Sequence, residues 1–182
     1  MNIYTRLGDN GKSSIDRNKS AMDKSSSVFE VLGTLDELTS TLGFLHLSKI
    51  SDIKKVILNI QGDLITLGSI IIGKPFTVEL KTACEKKITN FEKLIDIYTA
   101  KLPLLKSFIL PGGCIESNYL HLSRVVCRRL ERVFVKYLRE SRRKDLELIG
   151  KYFNRLSDLL FVLARYANKK RNYGDTVWKA LK

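Results

Sequence analysis

The 182-residue sequence predicts an all-α fold, a five-helix bundle behind a polar N-terminal lead. Apolar residues recur at steps of three and four through five long segments, and no segment alternates at the period of a half-buried strand. Glycine and proline collect in the connections. The length suits one domain with its own core, here divided into a lead at 1–24 and a helical bundle at 25–182.

The lead has no sustained period. Between positions 5 and 14 it crowds Thr5, Arg6, Gly8, Asp9, Gly11, Lys12, Ser13 and Ser14, so backbone NH groups, hydroxyls and cations share one short loop suited to wrapping phosphates. Gly11-Lys12-Ser13 matches the end of the P-loop pattern. Arg6 stands where that pattern needs its first glycine, and too little chain precedes it for the parent βα unit, so a P-loop is rejected.

Helical periodicity begins at Ser25. Val28, Val31, Leu35, Leu38, Leu42 and Leu45 form the seam of a first helix, with Ser25 to Ser27 as N-cap candidates. A second helix over 51–72 buries Ile53, Ile57, Ile60, Leu64, Leu67 and Ile71, and Gly73-Lys74-Pro75 stops it. A third over 77–99 turns Leu80, Cys84, Ile88, Phe91, Ile95 and Tyr98 inward. Residues 100–113 break the pattern with Pro103, Pro111, Gly112 and Gly113, and Phe108 on this connection would ordinarily plug the bundle end. A fourth helix covers 115–139. A fifth covers 145–169, with Ile149, Tyr152, Leu156, Leu159, Leu163 and Tyr166 inward and Asn154, Asp158, Phe161 and Arg165 on the opposite arc. Trp178 is expected to dock the basic tail.

The fourth helix is unusual in its arginines. At about 100° per residue, Arg124, Arg128, Glu131 and Arg132 fall within one narrow arc, while Leu122, Val126, Val133 and Tyr137 point the other way. That Arg face must meet water, a partner subunit or an anionic ligand. Arg128 and Arg132, one turn apart, offer forked donors that match phosphate oxygens. Glu131 beside them suits either an arginine partner or a Mg²⁺ shared with phosphates, and Asn154 joins them if the fifth helix packs alongside.

Composition narrows the class. A net charge of +13 biases the surface toward phosphates, nucleic acid or anionic membranes, although scattered lysines supply much of it. Cys84, Cys114 and Cys127 have neither an even count nor C-x-x-C spacing, which argues against a disulfide framework or zinc site and for a reducing cytoplasm. No apolar run approaches the ~18 residues of a membrane span, and no signal-peptide core opens the chain, so no membrane partner is expected. His46 and His121 belong to no ligand-spaced cluster, and no Cys-His pair suggests a covalent enzyme. A basic nucleic-acid-binding module lacks both a helix-turn-helix and aromatic-basic interleaving, so no nucleic-acid partner is expected.

The ordered motifs YTRLGDNGKSS (4–14), GTLDEL (33–38), FILPGG (108–113), LHLSRVVCRRLER (120–132) and YFNRLSDLLFVLAR (152–165) resemble those of the PduO-type ATP:cob(I)alamin adenosyltransferases. The resemblance implies a bundle that trimerises with active sites between subunits. It implies that the cobalt of cob(I)alamin attacks the 5′ carbon of ATP, forming adenosylcobalamin and releasing triphosphate. ATP and cob(I)alamin are then substrates and Mg²⁺ a cofactor. A reductase supplying cob(I)alamin and an adenosylcobalamin-dependent enzyme become expected partners. The alternatives are a noncatalytic trimer that binds ATP or adenosylcobalamin and, more distantly, the basic helical nucleic-acid-binding module.

By matching positions, the resemblance implies that Thr5, Arg6, Leu7, Gly8, Ser13, Ser14 and Lys24 wrap ATP. Arg128, Arg129, Leu130, Glu131, Arg132 and Asn154 would complete the nucleotide site, with Glu131 near Mg²⁺. Phe108 would lie beneath the corrin and displace its lower axial base, and Phe161 would line the same pocket. Arg128, Glu131 and Phe108 are thereby the expected catalytic residues. Asp36 and Arg124 would pair across the subunit interface. The sequence departs from the family at Ala21, where an arginine is usual, and at Leu130, where alanine is usual. Lys19 or Arg17 are alternatives to Lys24.

Overall fold

The computed structural model describes residues 4, 6, 8–13 and 21–180. A short antiparallel ladder, β1 (Lys12–Ser13) with β2 (Met22–Asp23), precedes α1 (Ser27–Gly43). A 3₁₀ turn at Phe44–Leu47 leads to α2 (Ser51–Ile71), which is followed by α3 (Val78–Thr99). The connection after α3 carries β3 (Ile109–Leu110) and enters α4 (Ile115–Ser141). A second 3₁₀ turn at Lys144–Leu146 leads into α5 (Glu147–Lys170), and β4 (Thr176–Val177) returns to pair antiparallel with β3.

The expected seams are the observed core. Val28, Val31, Leu35, Leu38, Leu42 and Leu45 of the first segment are buried, as are Ile53, Ile57, Ile60, Leu64, Leu67 and Ile71 of the second. Each such side chain contributes about 1.5–3 kcal/mol through apolar burial. α2 ends where Gly73 takes a φ of 118° ahead of Pro75. Thr77 caps α3 by accepting the Leu80 N–H at 3.4 Å, whereas Ser26 holds the cap position of α1 without a side-chain capping bond.

α5 is the centre of the bundle. It packs along α4 on one side and α3 on the other, while α1 lies along α4 and α2 joins at α1. Both flanks of its apolar seam are therefore buried, at Phe153, Leu160, Val162 and Ala164. The arc opposite the seam is open at its start, as expected, and closes only at its end, where Arg165 departs from the polar-face reading. Asn154 and Asp158 are exposed and Phe161 is half-buried, but Arg165 is only 5% exposed. Burial of its guanidinium is tolerated because Asp175 and the Pro103 carbonyl both accept hydrogen bonds from it. On α4, Val126 and Tyr137 are buried and Val133 partly so, but Leu122 is 45% exposed and lies outside the core. The tail docks through its backbone in β4, and the Trp178 indole stays half-exposed.

Candidate active site

The Pro-Gly-Gly turn throws the chain from the 100–113 connection into α4, and α5 lies alongside. Where these three meet, a cleft of about 400 Å³ is lined by Leu105, Phe108, Ile109, Arg124, Arg128, Ser157, Asp158, Phe161 and Val162. Phe108, Arg124, Arg128 and Phe161, separated by up to 53 positions in sequence (161 less 108), thus face one space. Phe108 does not plug the bundle end. Its ring is 81% exposed, an unfavourable place for a phenylalanine unless something covers it.

The cleft has one apolar wall and one cationic wall. Arg124 lies with its guanidinium 5.5 Å from the centre of the Phe161 ring, and its buried Nε has no hydrogen-bond partner among the described residues. Burial first, and then the charge of Arg128, push the Arg124 pKa down. Arg128 is exposed and directed at the same space, with Asp158 as the acid on the rim. His121, buried against Phe161 with ring centres 6.0 Å apart, has its pKa lowered by burial and by Arg124, so it is neutral at pH 7.

Farther along α4 the expected nucleotide residues form a polar strip. Asn154 Nδ2 donates to Glu131 Oε1 at 2.8 Å, so α4 and α5 do bring these two together. Arg132 donates to the Arg128 carbonyl at 3.1 Å, and Arg129 pairs with Glu37 of α1. Leu130 is fully buried, so its side chain faces the bundle and only its backbone is available to a nucleotide. Asp36 is exposed on α1. Among the described residues no cluster of three or more His, Cys, Asp or Glu is arranged to hold a metal. One oriented carboxylate suits a Mg²⁺ carried mainly by phosphates and water, as this ion prefers.

The described residues of the N-terminal lead are latched by Lys24, whose Nζ donates to the Gly8 carbonyl at 2.7 Å and whose N–H donates to the Gly11 carbonyl at 2.9 Å. Asp23 accepts from the Ser25 hydroxyl and N–H at 2.6 and 2.8 Å, and those bonds hold its carboxyl below the usual range. Arg6 sits at a φ of 58° with its guanidinium 5.5 Å from the Tyr4 ring, and Gly8 and Ser13 are half-buried. Thr5, Leu7 and Ser14, with the alternatives Arg17 and Lys19, lie outside the described residues.

Two buried polar residues of α5 that sequence reasoning did not assign to the site grip the Phe108 connection. Asn168 donates to the Gly112 carbonyl at 3.0 Å and accepts the Cys114 N–H at 3.0 Å, and Arg165 donates to the Pro103 carbonyl at 2.8 Å. The available signal was Arg and Asn at i, i+3 on an otherwise apolar stretch. A larger opening of about 480 Å³ lies between the Phe44–Leu47 turn and the start of α4. Its buried acid Glu116 is already paired with Arg171, so it offers less unspent charge than the Arg124–Arg128 wall.

The family model described as cobalamin adenosyltransferase matches residues 3–167. The chain is 35% identical over 185 residues to the corrinoid adenosyltransferase of Bacillus subtilis (strain 168), covering 98% of this chain and 93% of that protein. It is 38% identical over 184 residues to the corrinoid adenosyltransferase of Homo sapiens, covering 97% of this chain and 72% of that protein. A variant of the PduO-type ATP:corrinoid adenosyltransferase from Lactobacillus reuteri, complexed with cobalamin and ATP, superposes with a TM-score of 0.88 at 31% identity, covering 98% of this chain and 100% of that one. Another variant of that enzyme, complexed with ATP, gives a TM-score of 0.86 at 31% identity over 97% of this chain and 100% of that one.

Proposed function

The chain belongs to the cobalamin adenosyltransferase family and is an ATP-dependent adenosyltransferase acting on cobalamin, and we propose that the transfer takes place in the cleft between Phe108 and Arg128. The observation that carries this reading is the joining of an exposed aromatic ring to a cationic wall in one space. A flat apolar macrocycle and a polyphosphate are the substrates that such walls suit.

In the proposed reaction the cobalt(I) lone pair forms the Co–C5′ bond while the bond from C5′ to the triphosphate oxygen breaks, and that oxygen leaves with its electron pair. Cobalt ends two electrons more oxidised and carbon correspondingly reduced, so no further reductant enters this step. The nucleophile belongs to a substrate, so the reaction asks for no activated serine or cysteine of the protein. The protein's part is to align the substrates, exclude water and neutralise the leaving group. Arg128, with Arg132 and Arg129, meets the phosphates. Glu131, oriented by Asn154, would hold Mg²⁺ together with phosphate oxygens, and the ion would add charge neutralisation there. Phe108 and Phe161 take the corrin, with Phe108 on its lower face.

Thr5, Arg6, Leu7, Gly8, Ser13, Ser14 and Lys24 are assigned to ATP. An exposed Asp36 carboxylate and an Arg124 Nε without a partner among the described residues support a homotrimer with these two at its joint, the site being completed by the N-terminal segment of a neighbouring subunit. In that assembly the Arg124 Nε, unpartnered among the described residues, gains an acceptor. No helix among the described residues is long and apolar enough to cross a membrane. Free, buried Cys84, Cys114 and Cys127 favour a reducing cytoplasm, where a reductase supplies cob(I)alamin and an adenosylcobalamin-dependent enzyme takes the product.

Steady-state kinetics on two variants test the assignment. Arg128→Ala should lower kcat/KM by about 10²–10³-fold, as loss of one preorganised charge donor does, with an unchanged circular dichroism spectrum. Phe108→Ala should lower turnover of cobalamin while leaving the KM for ATP unchanged. Full turnover by Arg128→Ala would remove the reading.

A further inference from the structure

Phe108 projects its ring into solvent and therefore gains little from packing, yet the bonds of its backbone are made to distant parts of the chain. The 100–113 connection is tied at three places. Near its start, the Pro103 carbonyl accepts from Arg165 Nη2 at 2.8 Å. At its end, Asn168 holds the Gly112 carbonyl and the Cys114 N–H. In its middle, β3 pairs with β4, and the Trp178 N–H donates to the carbonyl of Phe108 itself at 2.8 Å.

The β3–β4 ladder is too short to stand alone. What anchors it is Asp175, the residue before β4, whose Oδ2 accepts from Arg165 Nε at 2.8 Å. The two side chains are 5% and 15% exposed. One guanidinium thus ties the connection through Pro103 and the tail through Asp175, and the tail in turn grips Phe108. A buried ion pair adds little net stability compared with apolar packing, so its value here is geometric.

We propose that Arg165 and Asp175 are positioning residues that set the Phe108 ring against the corrin substrate by locking the C-terminal strand onto its loop. This rests on the reading that Phe108 meets the corrin. Slackening the clamp leaves the cationic wall of the cleft in place and lets Phe108 drift, and a displacement of about 1 Å can cost up to 10²-fold in rate.

The full-length enzyme tests this with Asp175→Asn, Asp175→Glu, Trp178→Pro and Trp178→Ala, against Phe108→Ala as reference. The readouts are kcat, the KM for each substrate, and electron paramagnetic resonance of bound cob(II)alamin, which reports the fraction lacking its lower axial base. Asp175→Asn should lower kcat on the order of 10-fold and reduce the base-free fraction, with the KM for ATP unchanged. Asp175→Glu should restore part of both. Trp178→Pro deletes the N–H that holds Phe108 without touching the core, and should reproduce the loss even if Asp175→Asn fails to fold. Trp178→Ala keeps that N–H and should lose less.

Wild-type kcat and base-free fraction in folded Trp178→Pro and Asp175→Asn would overturn the clamp. So would a loss that tracks melting temperature and affects both substrates alike. If Phe108→Ala itself changes neither readout, the placement of the corrin fails and the clamp falls with it.

Discussion

Replacing Gly113 by alanine should loosen the turn that carries the chain from Phe108 into α4. Gly113 has a φ of 102°, a conformation that costs an L-residue about 1–2 kcal/mol. A Cβ there would stand 2.1 Å from Asn168 Oδ1 and 2.6 Å from its Cγ and Nδ2. Asn168 is 4% exposed and must withdraw, giving up its bonds to the Gly112 carbonyl and the Cys114 N–H. Each such bond is worth about 1 kcal/mol, and a buried group left unsatisfied adds to the loss. The expected destabilisation is about 3–5 kcal/mol, roughly 10 °C in melting temperature for a domain of this size. Thermal unfolding followed by circular dichroism measures it. In an Asn168→Ala background the same substitution should cost only the backbone strain, about 1–2 kcal/mol. An equal shift in the wild-type and Asn168→Ala backgrounds would mean that only backbone strain is felt and that Asn168 moves aside freely, and the gripping role assigned to it would be wrong.

Leu130→Ala should cost about 2–5 kcal/mol in urea unfolding, because the side chain is fully buried, and leave the KM for ATP unchanged. A selective rise in that KM at unchanged stability would give Leu130 a nucleotide contact that its burial denies. Cys84, Cys114 and Cys127 are buried, and burial pushes their pKa values up, that of Cys84 to about 11. Iodoacetamide near pH 7.5 should therefore leave the folded protein unmodified by mass spectrometry, and fast labelling of any one cysteine would contradict this. Burial raises the Glu116 pKa, but the hydrogen bond and charge of Arg171 outweigh it and hold the carboxyl below its ordinary 4.5. The folded state thus binds that proton less readily than the unfolded chain. Its stabilisation should be complete above pH 4.5 and lost as pH falls below it toward the depressed folded value. The gap in urea midpoint between wild type and Glu116→Gln should accordingly be largest near pH 7 and shrink on acidification.

The helices were legible because steps of three and four survive in sequence without knowledge of their neighbours. The expected spans 51–72 and 77–99 differ from Ser51–Ile71 and Val78–Thr99 by single residues at their ends. The centrality of α5 was not legible. The second half of α5, packed by α3 and α4 on opposite sides, is apolar nearly all round, and the buried Arg165 there continues the exposed arc of Asn154 and Asp158, so in sequence it reads as solvent-facing. Strands of two residues such as β3 and β4 have no period to detect, so the tail's grip on Phe108 was invisible and Trp178 took the credit for docking. At the site, arc arithmetic placed Arg124 and Arg128 together on α4. That Phe108 and Phe161 share their cleft followed only from the resemblance, since packing between distant segments leaves no local signature.

The most direct measurement is the reaction itself, with purified protein, ATP, Mg²⁺ and chemically reduced cobalamin under anaerobic conditions. Absorbance, light sensitivity and mass should identify adenosylcobalamin, formed with one triphosphate for each ATP consumed. ATP converted to ADP and phosphate, or bound without formation of a cobalt–carbon bond, would contradict the account.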